Sequence, residues 1–219
     1  MIAWQIARHQ VAIAGHVTDG ESGKPLSRVE VSITEMPVEF KRKLEGASLQ
    51  YGNRWATMTE RADKTLSGAD GLFYFLDLSN GKYTLRATLP SSGKRYGSAQ
   101  ETATVSRDAK GNIKMASLKF ILRPTTIKGR ITGPVHKNGV VMAEVRVKGS
   151  GERAFSDAQG QYVLAGIEPG KRTVLVFAQG YRQPDPNKPR AAPEAEKIVP
   201  LEKPGIVETA NFTLVREAG

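Results

Sequence analysis

Two stretches of the chain carry the same pattern of hydrophobic and polar positions. Residues 71–81 read GLFYFLDLSNG and residues 160–170 read GQYVLAGIEPG, so glycine bounds each stretch at both ends. Apolar side chains occupy matching places, which are Phe73 and Tyr162, Phe75 and Leu164, and Leu78 and Ile167. An alternating segment follows each closing glycine, and two short strands joined by a turn are typical of a β-hairpin. The pattern therefore predicts two copies of one small β-module.

The other alternating segments also fall into matching pairs. Each copy opens with a strand, at 13–18 in the first and at 127–132 in the second. The inward residues predicted for the second strand are Leu26, Val29, Val31 and Ile33 in the first copy, and Met142, Val145 and Val147 in the second. Those predicted for the closing strand are Leu118, Phe120 and Leu122, and Ala210, Phe212 and Leu214. Since a period of two marks half-buried strands, the predicted fold class is all-β, with two tandem β-sandwich domains.

These patterns set the predicted domain boundaries. We expect an N-terminal arm at 1–10, a first sandwich at 11–124 and a second at 125–219. The first sandwich has an insertion at about 36–62, in which Val38 to Leu44 could form a short helix. The second has a proline-rich loop at about 182–194, which we expect to be extended because proline blocks both helix and strand.

The repeated motifs resemble those of the carboxypeptidase regulatory-like family. The residues that carry the resemblance are Gly15 to Asp19, Pro25 to Val31, Ser67 to Phe75 and Gly81 to Leu85. The second copy is similar, but it departs at Gln159, where members usually carry Asp, and at Arg172, where they usually carry Tyr or Phe. The resemblance implies a seven-stranded, transthyretin-like Greek-key sandwich. It also implies a non-catalytic module that scaffolds, spaces or adheres, with no family active site.

The amino-acid composition excludes several kinds of chemical site. The chain has 219 residues, a net charge of +10 and no cysteine, so disulfides and cysteine-based zinc sites are excluded. None of the three histidines, His9, His16 and His136, has a partner at the spacing of metal ligands. We therefore expect no enzymatic activity and no cofactor. No apolar run reaches the length of a membrane span, and the N-terminus lacks the features of a signal peptide, so we expect a cytoplasmic protein.

Two segments supply the candidate contact residues. In the insertion they are Phe40, Lys41, Arg42, Lys43, Tyr51, Arg54 and Trp55. The insertion is interpreted as a protein-contact loop, as a nucleic-acid site or as a solvated excursion. Its acidic residues leave it little net charge, which disfavours nucleic acid. In the arm the candidates are Ile2, Trp4 and Ile6, which alternate with small or polar residues. The arm is interpreted either as an extra strand with a buried tryptophan or as a strand that docks on another subunit's sheet edge.

These observations favour a non-enzymatic structural or adaptor protein that contacts other protein subunits of a large assembly. The excess of basic over acidic residues suggests partners with acidic surfaces. By analogy of fold, the assembly could be a phage-tail-like contractile injection particle, which is built in the cytoplasm. The alternatives are a polysaccharide- or nucleic-acid-binding module, for which Tyr51, Trp55 and Tyr96 are the candidate aromatic residues, and an accessory domain of a separately encoded enzyme.

Overall fold

The chain forms two compact units, each a β-sandwich. The structure, a computed structural model, describes residues 9–59, 61–133, 139–182 and 194–216. One unit comprises Met1–Gly93 and Ser98–Leu122, and the other comprises Lys94–Gly97 and Arg123–Gly219. The predicted fold class, all-β with two sandwiches, is confirmed. The arm residues Ile2, Trp4 and Ile6 and nearly all of the proline-rich loop lie outside the described residues.

The first unit packs two sheets against each other. Its strands are β1 (Val11–Asp19), β2 (Glu30–Glu35), β3 (Lys64–Leu66), β4 (Leu72–Leu76), β5 (Gly81–Thr88), β6 (Ala99–Arg107), β7 (Ile113–Lys114) and β8 (Ala116–Leu122). One sheet has the order β4-β1-β8, and the other has the order β3-β2-β5-β6-β7. A helix, α1 (Val38–Tyr51), and a 3-10 segment (Gly52–Thr57) lie between β2 and β3, and a short 3-10 turn (Pro90–Ser92) follows β5.

The second unit repeats this strand order. Its strands are β9 (Thr126–Thr132), β10 (Glu144–Val147), β11 (Arg153–Phe155), β12 (Gln161–Ala165), β13 (Gly170–Phe177), β14 (Tyr181–Arg182), β15 (Glu194–Leu201), β16 (Val207–Thr209), β17 (Phe212–Thr213) and β18 (Val215–Arg216). The order β12-β9-β16 matches β4-β1-β8, and β17 continues beside β9. The order β11-β10-β13-β15 matches β3-β2-β5-β6, so the repeat seen in the sequence is a repeat of topology.

Equivalent glycines let an aromatic ring cross the first strand of each unit. Gly15 lies opposite Phe73 in the β1–β4 register, and Gly129 lies opposite Tyr162 in the β9–β12 register. A Cβ atom on Gly15 would lie 2.4 Å from Cζ of Phe73, and one on Gly129 would lie 3.1 Å from Cε1 of Tyr162. Both rings are buried, as predicted. At Gly129 the nearer obstacle is the carbonyl oxygen of Ala210 at 2.0 Å, so an added Cβ atom would collide with the ring at Gly15 and with the backbone at Gly129.

In each unit a buried serine links the end of the third strand to the residues that precede the second strand. Ser67 accepts a hydrogen bond from the backbone N–H of Val29 at 3.0 Å, and Ser156 accepts one from the N–H of Ala143 at 2.9 Å. Each hydroxyl also donates to a backbone carbonyl. These bonds satisfy groups that would otherwise be buried without partners. The predicted inward residues Val29, Val31, Ile33, Val145 and Val147 are buried beside them.

Two details of the prediction were wrong. Helix α1 runs to Tyr51, well past Leu44, because apolar positions recur through Ala47 and keep its inner side against the sandwich. Met142, predicted to point inward, is 68% exposed and has a φ of 58°, so it occupies a turn before β10.

The departure from the family pattern at Gln159 is compensated by a neighbouring aspartate. The carboxylate of Asp157 accepts a hydrogen bond from the N–H of Gln161 at 2.8 Å. The carboxylate of Asp70 accepts the equivalent bond from the N–H of Leu72 in the first unit.

Candidate protein-contact surface

The inner side of α1 attaches the insertion to the first sandwich. Phe40 is only 3% exposed, and its ring meets the ring of Tyr83 edge to face, with centroids 5.6 Å apart. Leu44 and Ala47 follow it at helical spacing and are half-buried. The prediction of Phe40 as a partner contact is therefore wrong. Its large apolar ring contributes more by packing in the core than it could on the surface.

A second attachment lies at the start of the helix. Pro37 precedes α1, and a Cβ atom on Gly81 would lie 2.4 Å from its Cγ atom. Gly81 also has a φ of 137°, a conformation that side chains other than hydrogen rarely permit. The equivalent Gly170 has a similar φ, 123°, but a Cβ atom there would meet nothing closer than 4.0 Å. The close approach thus belongs to the unit that carries the insertion.

Tyr83 and Arg172 occupy equivalent positions and make equivalent bonds. The hydroxyl of Tyr83 donates to the carbonyl oxygen of Ser79 at 2.9 Å, and Nε of Arg172 donates to that of Glu168 at 2.8 Å. Burial raises the pKa of Tyr83 above its ordinary value, which fits a neutral donor inside the core. Arg172 thus keeps the turn bond without an aromatic ring, and no helix lies between β10 and β11, the strands that match β2 and β3.

Trp55 is held within the insertion by two neighbours. Its ring stacks on Tyr51 with centroids 6.1 Å apart and planes at 26°, and the guanidinium of Arg61 lies 4.8 Å from its centroid. Arg61 donates two hydrogen bonds of 2.9 Å to the carboxylate of Asp63 and a third to the carbonyl oxygen of Trp55. These contacts order the segment after α1. They also occupy part of the aromatic surface on which a nucleotide base or a sugar would have to stack.

The insertion exposes a group of basic residues. Lys41, Arg42 and Lys43 are exposed on α1, and Arg54 is exposed in the 3-10 segment. None of these four cations forms an ion pair with another described residue. Leu49 is 86% exposed on the same helix. The structure therefore places the predicted charged residues on one accessible segment, while Trp55 and Tyr51 form its internal stack.

A groove that the sequence analysis did not predict runs beside this segment. It has a volume of about 690 Å³ and lies between α1 and the edge strands β3 and β4. We call it the helix groove and define it by these lining residues: His9, Phe40, Lys43, Leu44, Ala47, Arg61, Ala62, Lys64, Thr65, Leu66, Tyr74, Phe75, Leu76 and Asp77. Of its charged lining residues, Lys64 is paired with Glu30 across β3 and β2, and Arg61 is paired with Asp63.

The outward face of β4 is unusually apolar for an exposed strand. Leu72, Tyr74 and Leu76 are 55%, 60% and 38% exposed. The equivalent outward residues of β12 are Gln161, Val163 and Ala165. The contrast between the copies is visible in the sequence and was the available signal for this surface.

The chain enters the first sandwich at the end of the helix groove. The carboxylate of Asp77 accepts a hydrogen bond from the N–H of Gln10 at 2.9 Å and pairs with Nδ1 of His9. The N–H of Asp77 donates back to the carbonyl oxygen of Gln10 at 2.9 Å. The bond to His9 is the main cause of a lowered pKa at Asp77, and the N–H of Gln10 adds to it. These bonds link the start of the described chain to the residue that follows β4.

The described residues contain no group of three or more histidine, aspartate or glutamate side chains that could hold a metal ion. No helix in the described part of the chain has the length and apolarity needed to cross a membrane. Tyr96, the third aromatic residue considered for polymer binding, lies in the second unit, where it forms an isolated β-bridge with Pro124.

The fold and repeats define a tandem β-sandwich protein, and comparisons with known proteins refine this class. The family described as carboxypeptidase regulatory-like domain matches residues 126–214, so the resemblance is confirmed for the second unit. The matched segment starts with β9 and continues past β17. No curated protein matches the chain.

Several solved structures are similar to the chain at low identity. The shaft pilin spaA from Lactobacillus rhamnosus GG is 12% identical, with a TM-score of 0.41 and coverage of 97% of this chain and 99% of the pilin. The Bacillus anthracis TIE protein is 11% identical, with a TM-score of 0.38 and coverage of 94% of this chain. The chain spans 34% of the length of that protein. A streptococcal ancillary pilin is 10% identical, with a TM-score of 0.36 and coverage of 96% of this chain and 63% of the pilin.

Proposed function

We propose that the protein is a non-enzymatic structural or adaptor subunit that contacts other protein subunits through the outer side of its insertion. The observation that carries the proposal is the division of α1 into two sides. Phe40 fixes the inner side to the sandwich, while Lys41, Arg42 and Lys43 stand exposed on the same helix. An anchored helix that presents exposed cations is suited to a complementary acidic surface, because its backbone is already ordered before binding and opposite charges steer the encounter.

The charge of the whole chain supports the same kind of partner. A net charge of +10 raises the rate at which an acidic protein encounters the molecule, and three neighbouring cations would fix the orientation of the encounter. Trp55 and Tyr51 lie at the C-terminal end of α1, where aromatic side chains frequently contribute to protein interfaces. The proposed contact residues are therefore Lys41, Arg42, Lys43, Arg54 and this aromatic pair.

A charge-reversal experiment tests the proposal. The protein is purified with its partners from native lysate, and the association rate with the isolated partner is measured at several salt concentrations. Replacing Lys41, Arg42 and Lys43 with Glu should slow association by about tenfold or more at low salt. The control reverses Lys128, Lys171 and Lys197, which are exposed in the second unit and change the net charge equally. Equal effects of the two triple variants would contradict a contact through α1.

The kind of assembly that contains the protein is also a proposal. A cytoplasmic particle of the phage-tail-like contractile injection type would use small β-sandwich modules as adaptors, and this rests on analogy of fold alone. Sedimentation of native lysate tests it, since the protein should travel with a particle in the megadalton range. Recovery of the protein with one enzyme in a small complex would instead support the accessory-domain alternative.

A further inference from the structure

Two phenylalanines are exposed on the outward face of one sheet of the second unit. Phe155 of β11 and Phe177 of β13 are 49% and 44% exposed. Both lie directly opposite Glu144 of β10, the strand between them, so all three residues share one face of the sheet. Since neighbouring strands lie about 4.8 Å apart, the two phenylalanine positions are about 10 Å apart across the glutamate. Arg153, exposed two positions before Phe155, completes what we call the aromatic face: Glu144, Arg153, Phe155 and Phe177.

The equivalent face of the first unit holds its charges in an internal ion pair. There Glu30 takes the place of the glutamate and lies opposite Leu66 and Thr88, which replace the two phenylalanines. Lys64, at the place that Arg153 has in the second unit, pairs with Glu30 at 2.6 Å. The first unit thus combines smaller side chains with a neutralised pair of charges.

The second unit leaves the corresponding charges without this pairing. Neither Glu144 nor Arg153 has an ion pair or a side-chain hydrogen bond with another residue that the structure describes. Arg146 lies directly opposite Arg153 across β10 and β11, where two like charges disfavour each other. With respect to the described residues, the face therefore carries an unpaired anion and an unpaired cation beside two exposed aromatic side chains.

Such a face is complementary to itself. In a two-fold contact each group can meet its opposite from the other copy, because rotation by 180° brings the anion of one copy towards the cation of the other. An acidic partner would match Arg153 but repel Glu144, and a basic partner would do the reverse. A second copy satisfies both charges and covers both phenylalanines, so charge complementarity favours it over either alternative.

We propose that the aromatic face binds the same face of a second copy of the chain. Arg153 of each copy then pairs with Glu144 of the other, and Phe155 and Phe177 are buried between the two sheets. This dimer goes beyond the proposed contact through α1 and does not depend on it.

The size of the aromatic face sets the expected affinity. It is three strands wide, so it buries less than the roughly 800 Å² per partner of a standard interface. We therefore expect a weak, concentration-dependent dimer with a dissociation constant in the micromolar range. Long-range repulsion between two chains of net charge +10 is screened at physiological salt, where the Debye length is about 8 Å.

Charge reversal tests the proposal on the full-length protein. The dissociation constant of the dimer is measured by sedimentation velocity from micromolar to millimolar concentration at physiological salt. Glu144→Arg and Arg153→Glu should each weaken the dimer by about tenfold or more, because each sets like charges against one another across the contact. The double variant exchanges the two charges, restores their pairing and should recover most of the parent's affinity.

Matched control variants reverse two charges outside the aromatic face. Glu202 and Lys128 are exposed in the second unit, and Glu202→Arg and Lys128→Glu change the net charge by the same amounts. Singly and together, they should leave the dimer as stable as that of the parent. Phe177→Thr supplies the residue that the first unit carries at this place and should weaken the dimer by about tenfold. Circular dichroism shows that each variant is folded.

Three outcomes decide the question. Loss of the dimer in both single variants, with recovery in the double variant, supports the proposal. A parent that is monomeric over the whole concentration range overturns it and leaves the aromatic face to a different protein. A dimer that tolerates the single variants, or that the double variant fails to recover, also overturns it, because the contact then does not use this pair of charges.

Discussion

The rings of Phe40 and Tyr83 meet edge to face, with centroids 5.6 Å apart and planes at 76°. This contact joins α1, which has no counterpart among the described residues of the second unit, to a strand position that both units share. The shared position holds Arg172 in the second unit, where no helix follows the second strand. The insertion thus contributes Phe40 to the core of the first unit and leaves Lys41, Arg42 and Lys43 exposed on the same helix.

Removing this contact should destabilise the first unit. Phe40→Ala is expected to lower the free energy of unfolding by about 3–5 kcal/mol, because a buried aromatic ring leaves a cavity against Tyr83. Leu49→Ala, on the exposed side of α1, should change it by less than about 0.5 kcal/mol. Urea unfolding of both variants measures the difference. A Phe40 variant as stable as the parent would mean that α1 is not anchored by this ring.

The strand register of β4 makes a second prediction. Phe75→Ala should cost about 3–5 kcal/mol, whereas Leu72→Ala on the opposite face should have little effect on unfolding. Phe75 is 2% exposed and Leu72 is 55% exposed, so the two changes report opposite faces of one strand. Thermal and urea unfolding would show an inverted order if the register were shifted by one residue.

Two glycines of the first unit should respond to alanine in opposite directions. Gly15→Ala would place a Cβ atom 2.4 Å from Phe73 and 2.6 Å from the carbonyl oxygen of Leu118, and we expect a loss of about 3 kcal/mol from overpacking. Gly46→Ala lies in α1 with no atom within 4 Å, so it should gain about 0.5–1 kcal/mol through helix propensity. Matching effects of the two substitutions in urea unfolding would refute this account of Gly15.

The free energy of unfolding should depend on pH through the carboxyl group of Asp77. Its folded-state pKa lies below the ordinary value of 3.8, so its stabilising contribution is complete above that value and is lost as the pH falls through the lowered pKa. The stability difference between the parent and Asp77→Asn should therefore shrink below about pH 4. Carboxyl NMR of Asp77 measures the titration directly. His9→Ala should raise the pKa, since the bond to His9 is its main cause; an unchanged titration would exclude that cause.

The fold could be predicted from the sequence because its signals are local and repeated. Alternation at Phe73 and Phe75, and again at Tyr162 and Leu164, reports burial directly, and all four residues are buried. Met142 was misplaced because alternation cannot distinguish a strand from a turn residue with positive φ.

The candidate site could be predicted only in part. Lys41, Arg42 and Lys43 are exposed, as a run of charges indicates. The burial of Phe40 could not be inferred, because its partner, Tyr83, lies 43 positions further along the chain in another strand. The helix groove depends on how α1, β3 and β4 come together, and no single segment encodes such a space.

The two attachment points of the insertion make it a candidate for grafting. In the second unit, the open space at Gly170 would admit a proline in the role of Pro37. Arg172→Tyr would then supply the ring that Phe40 needs, at a position whose side chain already donates to the same turn. A chimaera that carries residues 36–62 between β10 and β11, together with this substitution, would display the basic helix twice on one polypeptide. In such a chimaera, the number of displayed basic helices becomes a design variable.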